Sequence, residues 1–444
     1  MKISKIEITD FHQFKDLIID LTYPKGHVKE GQPLDKVCFI GQSGTGKTSL
    51  LELIPKFLYN YETALILKSG QASIINKIKA NLIFGFKNEY SVRISFKESK
   101  NNNKKYDWIW QNLVNNGNSA MFFQDEWNLK IATKLIYFPA NLNYDIEIGN
   151  ENSFPDKEII DFNTDKISAV WNLILEKIQK YQEQELQIRQ EISKTVEQAS
   201  NNLDVIKVAL KKLEDWKKTE FNPIQDIADN CLNRLLEPFK LRVKTELDIK
   251  SKDDIGFIKI EDYSGNEIPH GLWSTGTKQV VLSALPLYLL KPKHTIILFD
   301  EPERSLYPDM QRFIVDYYSS LTDSCQFFYS THSPIIASSF EPWEIVELKF
   351  SEEGKIYREL YYEGENNVSN YKWNPKHMRW DDILQRIFDM ENDGSVERKR
   401  LLDELATQNV KLKKLQKQNG SENGASKEIL KNIENLSKEL SHWD

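Results

Sequence analysis

"KVCFIGQSGTGKTSLLELIPKFL", residues 36 to 58, is the stretch on which the fold of this chain turns. It opens as an apolar strand and closes as an apolar helix. Between them lies Gly41 to Ser49, "GQSGTGKTS", which fits the pattern GxxxxGK[ST]. Glycines at that spacing let successive backbone N–H groups turn inward around phosphate groups, and the helix that follows offers its positive end to the same anion. Lys47 supplies a point charge, and the hydroxyl of Thr48 is a ligand for Mg²⁺. Strand, Gly-rich loop and helix in this order predict an α/β sheet with a phosphate cradle formed by Gln42, Ser43, Gly44, Thr45, Gly46, Lys47, Thr48 and Ser49.

Further along, "TIILFDEPERSLYP" (295–308) sets four apolar residues before two carboxylates. A continuous apolar run reads as a strand buried on both faces, and two acids at its tip are costly there unless they are used. Asp300 is placed to support a magnesium ion, and Glu301 to polarise an attacking water. About thirty residues on, "FFYSTHSPII" (327–336) ends another apolar strand on His332, which could reach the same phosphates. A lone histidine is more often a structural hydrogen-bonder than a catalytic group, and only its place on the next strand argues otherwise. "GLWSTGTKQVVL" (271–282) surrounds a Trp with Ser, Thr and Gly directly before an apolar helix. Locally this is a competent helix cap, whose free N–H groups also suit an anion.

Other segments set the organisation. From about residue 80 to 113 the chain alternates in β fashion, which predicts an antiparallel layer. Between Asp156 and Asn222 there is neither Gly nor Pro. Trp171, Ile174, Ile178, Tyr181, Ile188, Ile192, Val196, Ala199, Leu203, Ile206, Leu210 and Leu213 recur there at spacings of three and four, with Glu185 interrupting the seam. This predicts a helical arm, either a hairpin turning near Ser200 to Asn202 or one bent helix. A fresh helix follows with Asn222 as its cap and Pro223 in its first turn. Beyond Gly364 come "WDDILQRIF" and two amphipathic helices, 394–418 and 426–441.

Taken together, "GQSGTGKTS", "WSTGTKQ", "ILFDEPERSLYP" and "STHSP" resemble, in this order, the ATPase head of the ABC superfamily, in its soluble branch of SMC, Rad50, RecF and OLD-like proteins. In that branch the two halves of the head lie at the two ends of the sequence with a helical arm inserted between. The "DEPExxLxP" ending and the "STGTKQ" form look most like the ATPase subunits of bacterial anti-phage defence systems such as Septu and PARIS. The resemblance implies ATP and Mg²⁺ as ligands, with Thr48 and Asp300 at the metal, Glu301 as catalytic base and His332 as the switch histidine. It further implies that Ser274 and Gly276 bind the γ-phosphate of nucleotide held by another subunit. The family's usual Gln before the arm has no clear counterpart: Asn141 in "IYFPANLNY" and Gln124 in "FFQDEW" are the alternatives. Trp273 stands where the family usually has Leu.

The expected fold is therefore α/β: an ABC-type P-loop ATPase head of largely parallel sheet plus an antiparallel layer, with an inserted helical arm and a C-terminal helical region. The expected domains are 1–165 and 223–360 as the two parts of the head, 166–222 as the arm and 361–444 as the helical tail. The expected function is ATP binding and hydrolysis that assembles the protein through shared ATP sites and switches a separate effector, a nuclease of Toprim or HNH type. The alternative is a DNA-repair ATPase that clamps DNA, which leaves nucleic acid open as a ligand. No acidic cluster of nuclease type is evident, since Asp381 and Asp382 read as the capped start of a helix.

Composition narrows the classes. Hydrophobic residues at 40% and charged residues at 28% fit a globular protein, and a net charge of −7 argues against a global basic field for nucleic acid. The three cysteines, Cys38, Cys231 and Cys325, lie far apart and support neither a disulfide framework nor a zinc site. No apolar run is long enough for a bilayer and the start lacks a signal-peptide core, so a cytoplasmic protein without membrane contact is expected.

Overall fold

In the computed structural model, which describes residues 2–11, 13–55, 90–98, 101–113, 118–123, 135–142, 159–163, 167–198, 203–220, 222–245, 258–390, 394–419 and 424–441, residues 36–55 of the decisive stretch fold as read. Strand β3 (Lys36–Gly41) is buried from Val37 onward, and helix α1 runs over 47–55. The turn between them leaves no choice at Gly41. Its φ is 141°, and a Cβ there would collide with the carbonyl oxygen of Leu348 on the neighbouring strand.

The strands before and around it are β1 (Lys2–Phe11), β2 (Phe14–Asp20), β4 (Tyr90–Glu98), β5 (Asn101–Leu113), β6 (Asn118–Phe123), β7 (Leu135–Phe138) and β8 (Ile159–Asp161). A small separate sheet holds β9 (Leu241–Val243), β10 (Ile260–Asp262) and β11 (Glu267–Ile268). The later strands are β12 (Ile296–Asp300), β13 (Gln326–Ser330), β14 (Ile345–Phe350) and β15 (Ile356–Glu359). They complete a twelve-stranded sheet in the order β6-β5-β4-β1-β2-β15-β14-β3-β13-β12-β7-β8.

One half of this sheet, from β14 to β8, is parallel, and β6 to β2 are antiparallel. The expected antiparallel layer is thus continuous with the parallel sheet, joined through the single pairing of Ile356 with Phe14. Each half carries the pattern its environment demands. Parallel β12 and β13 are buried at every residue, whereas β2 alternates buried and exposed positions. Gln326 locks the ends together. Its side chain accepts from Ile3 N–H at 2.7 Å and donates to the carbonyls of Ile3 and Leu34, both at 2.9 Å.

Behind the end of β12 lies an aromatic stack. Phe299 sits 4.6 Å from Phe138, 4.7 Å from Tyr318 and 5.4 Å from Tyr329 between ring centroids, all near-parallel. Removing its ring leaves a cavity directly behind Asp300. Phe299→Ala should cost about 3–5 kcal/mol, read as a lower urea midpoint.

The arm is a hairpin. Helices α2 (Ile167–Gln198) and α3 (Leu203–Thr219) pack antiparallel. Tyr181 meets Trp216 at 4.9 Å, Glu185 meets Lys217 at 3.2 Å and Glu191 meets Lys212 at 2.5 Å. The seam differs from the one read in the sequence. Leu203 and Leu210 are exposed, at 69% and 52%, while Ala209 is buried. Two antiparallel helices each set their own phase, so one heptad phase does not run through the turn, and α3 turns Ile206, Ala209, Leu213 and Trp216 inward. Glu185 interrupts the apolar seam because it bridges Arg189 on its own helix and Lys217 across the pair. Those two cations outweigh its partial burial and hold its carboxyl below the usual range.

The next helical stretch begins as expected, with the Asn222 side chain accepting from the N–H groups of Ile224 and Gln225 and Pro223 in the first turn. Helices α4 (Thr275–Leu290), α5 (Pro308–Ser320) and α6 (Pro334–Ala337) follow β11, β12 and β13. The chain divides into two compact units, 1–378 and 379–444. The second comprises α7 (Trp380–Arg386) and the helices α8 (Val396–Asn419) and α9 (Gly424–Ser441), of which α8 and α9 pack on each other. Asp381 and Asp382 lie in the first turn of α7, but Arg379 takes the cap position. They therefore serve the helix dipole rather than the cap, and are ion-paired with Arg379 and Arg386. Among the described residues no helix is long and apolar enough to cross a membrane, and the three cysteines are buried and free.

Candidate functional site

Parallel register gathers the site. Phe39 on β3 aligns with Ser330 on β13, and Ser330 aligns with Asp300 on β12. The three strands therefore end within two residues of one another, and the loops that leave them emerge at one edge of the sheet, where such folds bind ligands. Thr48, Asp300, Glu301 and His332 converge there from segments that are far apart in the chain.

The phosphate loop is shaped by close packing as much as by its own residues. Gly46 has a φ of 84°, and a Cβ on it would run into the side chains of Gln13 and Phe14 from the β1–β2 turn. Gly44 has a φ of 88° and lies beside the ring of Phe350, 3.8 Å from where its Cβ would stand. Lys47 is buried and donates to the carbonyls of Gly41 and Gln42 at 2.8 and 3.1 Å. Burial lowers its ammonium to a pKa of about 8, against the pull of Glu301, Asp300 and Glu303.

Thr48 Oγ1 lies 3.0 and 3.1 Å from the two carboxylate oxygens of Asp300. Burial pushes the Asp300 carboxyl upward, partly offset by hydrogen bonds from Ser330 and Thr48. A hydroxyl and a buried carboxylate side by side form an all-oxygen donor pair. That pair fits Mg²⁺, a hard cation that keeps water and phosphate oxygens as its other ligands.

Glu301 leaves the strand in a left-handed conformation, φ 48°, with its N–H donated to Ser330 O at 2.8 Å. A non-glycine residue in this region is strained and needs support from its surroundings. The conformation turns Glu301 out of the sheet, where Oε1 lies 3.8 Å from His332 Nε2 and both side chains are part-exposed. Burial first, and then Lys47, lower the His332 imidazole below its usual range, so it is neutral at pH 7.

Ser274 caps α4, its Oγ accepting from Thr277 N–H at 3.0 Å. Ser274 and Thr275 are exposed, whereas Gly276 is buried. A Cβ at Gly276 would stand 2.6 Å from the carbonyl oxygen of Ser305, so glycine is required there for backbone approach. Trp273 is buried, and its indole N–H donates to Ile268 O at 2.9 Å. Asn141 is exposed three residues beyond β7, the strand that pairs with β12, and accepts a hydrogen bond from Arg304. Gln124 lies outside the described residues.

Two neighbours of the site were not legible as such in the sequence. Gln13 precedes β2 with no motif around it, and its contact with Gly46 depends on the sheet order. Glu303 reads as one more acid in a polar loop, yet its carboxylate is bound to the turn that carries His332.

Residues 1–337 match the protein family described as the AAA ATPase domain. Solved structures with similar chains include an SMC head bound to the C-winged helix domain of ScpA, 14% identical, covering 81% of this chain and 97% of that one with a TM-score of 0.43. An SMC head with an extended coiled coil bound to the C-terminal domain of ScpA, derived from Pyrococcus furiosus, is 14% identical over 81% and 96% of the two chains, TM-score 0.38. The SMC head domain from Thermotoga maritima is 13% identical over 81% and 99%, TM-score 0.39. No curated protein matches.

Proposed function

Because this chain belongs to the AAA ATPase domain family, we propose that it binds and hydrolyses Mg²⁺-ATP at the edge formed by β3, β12 and β13, and that this cycle switches its assembly and a partner effector. The observation that carries the reading is the register that sets Thr48 against Asp300 and turns Glu301 toward His332 at the phosphate loop. Backbone N–H groups of Gln42 to Ser49 and the Lys47 ammonium hold the phosphates. Thr48 and Asp300 hold the magnesium ion, which when bound neutralises charge on the phosphate oxygens. Glu301 accepts the proton of the attacking water, and His332 donates from its edge to the γ-phosphate. Ser274 and the first turn of α4 supply N–H groups to the nucleotide of another protomer.

A slow cycle of this kind works as a timer, since ATP favours the assembled state only by its extra affinity for it. The motif forms "STGTKQ" and "DEPExxLxP" support a role in bacterial anti-phage defence, with the chemistry on nucleic acid left to a separate nuclease of Toprim or HNH type. Co-purification of such a nuclease with the natively expressed protein is the expected result; its repeated absence under Mg²⁺-ATP would remove the effector from the reading. A DNA clamp through the arm is less well supported. Of the lysines in "KVALKKLEDWKK", Lys212, Lys217 and Lys218 are ion-paired with Glu191, Glu185 and Asp215.

Nucleotide binding should take up protons. Free Lys47 titrates at about 8, and phosphates beside it raise that value. The bound state therefore carries the higher pKa, so affinity is full below pH 8 and falls as pH rises above it. At pH 8 binding should draw in about half a proton through this group. Calorimetry in buffers of different ionisation heat reads it directly, and a proton count unchanged in Lys47→Met would detach the effect from Lys47.

A further inference from the structure

The loop from Glu301 to Leu306 and the exit of β13 grip each other twice. The first grip is backbone, from Glu301 N–H to Ser330 O. The second runs through a side chain: Glu303 Oε1 accepts from Thr331 Oγ1 at 2.6 Å and from His332 N–H at 3.0 Å. Thr331 Oγ1 in turn accepts from Ser333 N–H at 2.9 Å. The turn that carries His332 is thus threaded onto one carboxylate oxygen. The other oxygen, Oε2, is buried with no hydrogen-bond partner among the described residues. Leaving a carboxylate oxygen so placed is costly, and burial accordingly pushes the Glu303 carboxyl upward. A fold that needed only a stable loop has cheaper ways to close it.

We propose that Glu303 is a positioning residue for ATP hydrolysis, which by bonding the Thr331 hydroxyl and the His332 amide holds the His332 imidazole opposite Glu301. The assignment rests on the ATPase reading of this edge. It follows from where the two grips lie. Both Glu301 and His332 stand on turns outside the sheet, where strand pairing no longer fixes them. Glu301 is set by its own N–H and its left-handed backbone. The residues on either side of His332 are fixed by Thr331 N–H to Phe39 O at 3.1 Å and by Ser333 Oγ to Gln311 Oε1 at 2.6 Å, and the N–H of His332 itself goes to Glu303. The same loop also touches the helix that starts at Thr275, since Ser305 O is the atom that excludes a side chain from Gly276. A shift of that helix would reach His332 through one short segment.

The test compares Glu303→Gln, Glu303→Ala and Thr331→Val with wild type, measuring kcat for ATP hydrolysis and, separately, affinity for a non-hydrolysable ATP analogue. Gln keeps an acceptor at Oε1 and should retain at least about a third of wild-type kcat. Ala removes both bonds and should lower kcat about 10- to 100-fold, the cost of misplacing a reacting group by an ångström or so, with affinity within about threefold. Thr331→Val removes one of the two bonds to Glu303 Oε1, together with the acceptor for Ser333 N–H, without touching the carboxylate, so it remains informative if Glu303→Ala fails to fold, and should fall between. The proposal is overturned if Glu303→Ala turns over like wild type, if Gln loses as much as Ala, or if kcat and affinity fall together. A wild type that does not hydrolyse ATP would defeat the ATPase reading itself, a different result from all of these.

Discussion

Glu301→Gln should lower ATP hydrolysis by about 10²- to 10⁴-fold, the usual range for removing a general base, while the protein still binds Mg²⁺-ATP. The geometry separates the two functions. In the proposed site, phosphate and metal fall to the loop at 41–49 and to Asp300, which lies inside the sheet beside Thr48. Glu301 is the next residue, yet its left-handed backbone turns it away from that pair toward His332. Gln preserves the shape and the hydrogen bond from the backbone but accepts no proton. ATP-bound protein should therefore accumulate, and because ATP stabilises the assembly, its mass in solution should rise on adding Mg²⁺-ATP and stay high. Sizing without any ATP-dependent change in mass, both for this variant and for a wild type not already assembled, would reject the switch while leaving hydrolysis in place. Retained turnover would instead move the base away from Glu301.

The site was legible in the sequence wherever local physics and function coincide. An apolar strand ending in "GQSGTGKTS" or in "DEP" has few other uses, and the caps at Asn222 and Ser274 are written in single residues. Features that depend on the pairing of distant segments were not. That the antiparallel strands extend the parallel sheet hangs on Ile356 meeting Phe14, and no periodicity encodes a strand's neighbour. The arm's apolar residues were visible, but α3 is phased by Trp216 against Tyr181 and Lys217 against Glu185, which a seam read through the turn misplaces. Glu303 was hidden for a similar reason. Its partners lie 28 and 29 residues away, on the turn after the neighbouring strand.

Ser274→Arg should abolish hydrolysis, by at least about 100-fold, while leaving ATP binding at Lys47 within about threefold, as removal of contacts made only in the assembled state requires. The first turn of α4 leaves its Ser274 and Thr275 face open to solvent, as the proposed contact with another protomer's nucleotide requires. Gly276 and Thr277 are buried inward, Ser274 and Thr275 face out, and the N–H groups of that turn lie at the positive end of a sixteen-residue helix. Losing the cap from Ser274 to Thr277 costs about 1 kcal/mol, too little to unfold the head. Ser274→Asn, which keeps a capping acceptor, should melt as wild type does and isolates that contribution. The sharper experiment mixes two inactive proteins, Lys47→Ala and Ser274→Arg. If each site takes its phosphate loop from one protomer and its α4 from another, random mixing of a two-fold assembly makes half the dimers hybrid, and each hybrid has one intact site. Activity should return to about a quarter of wild type. Were α4 to serve the nucleotide of its own chain, every site in the mixture would lack one half, and no activity would return at any ratio.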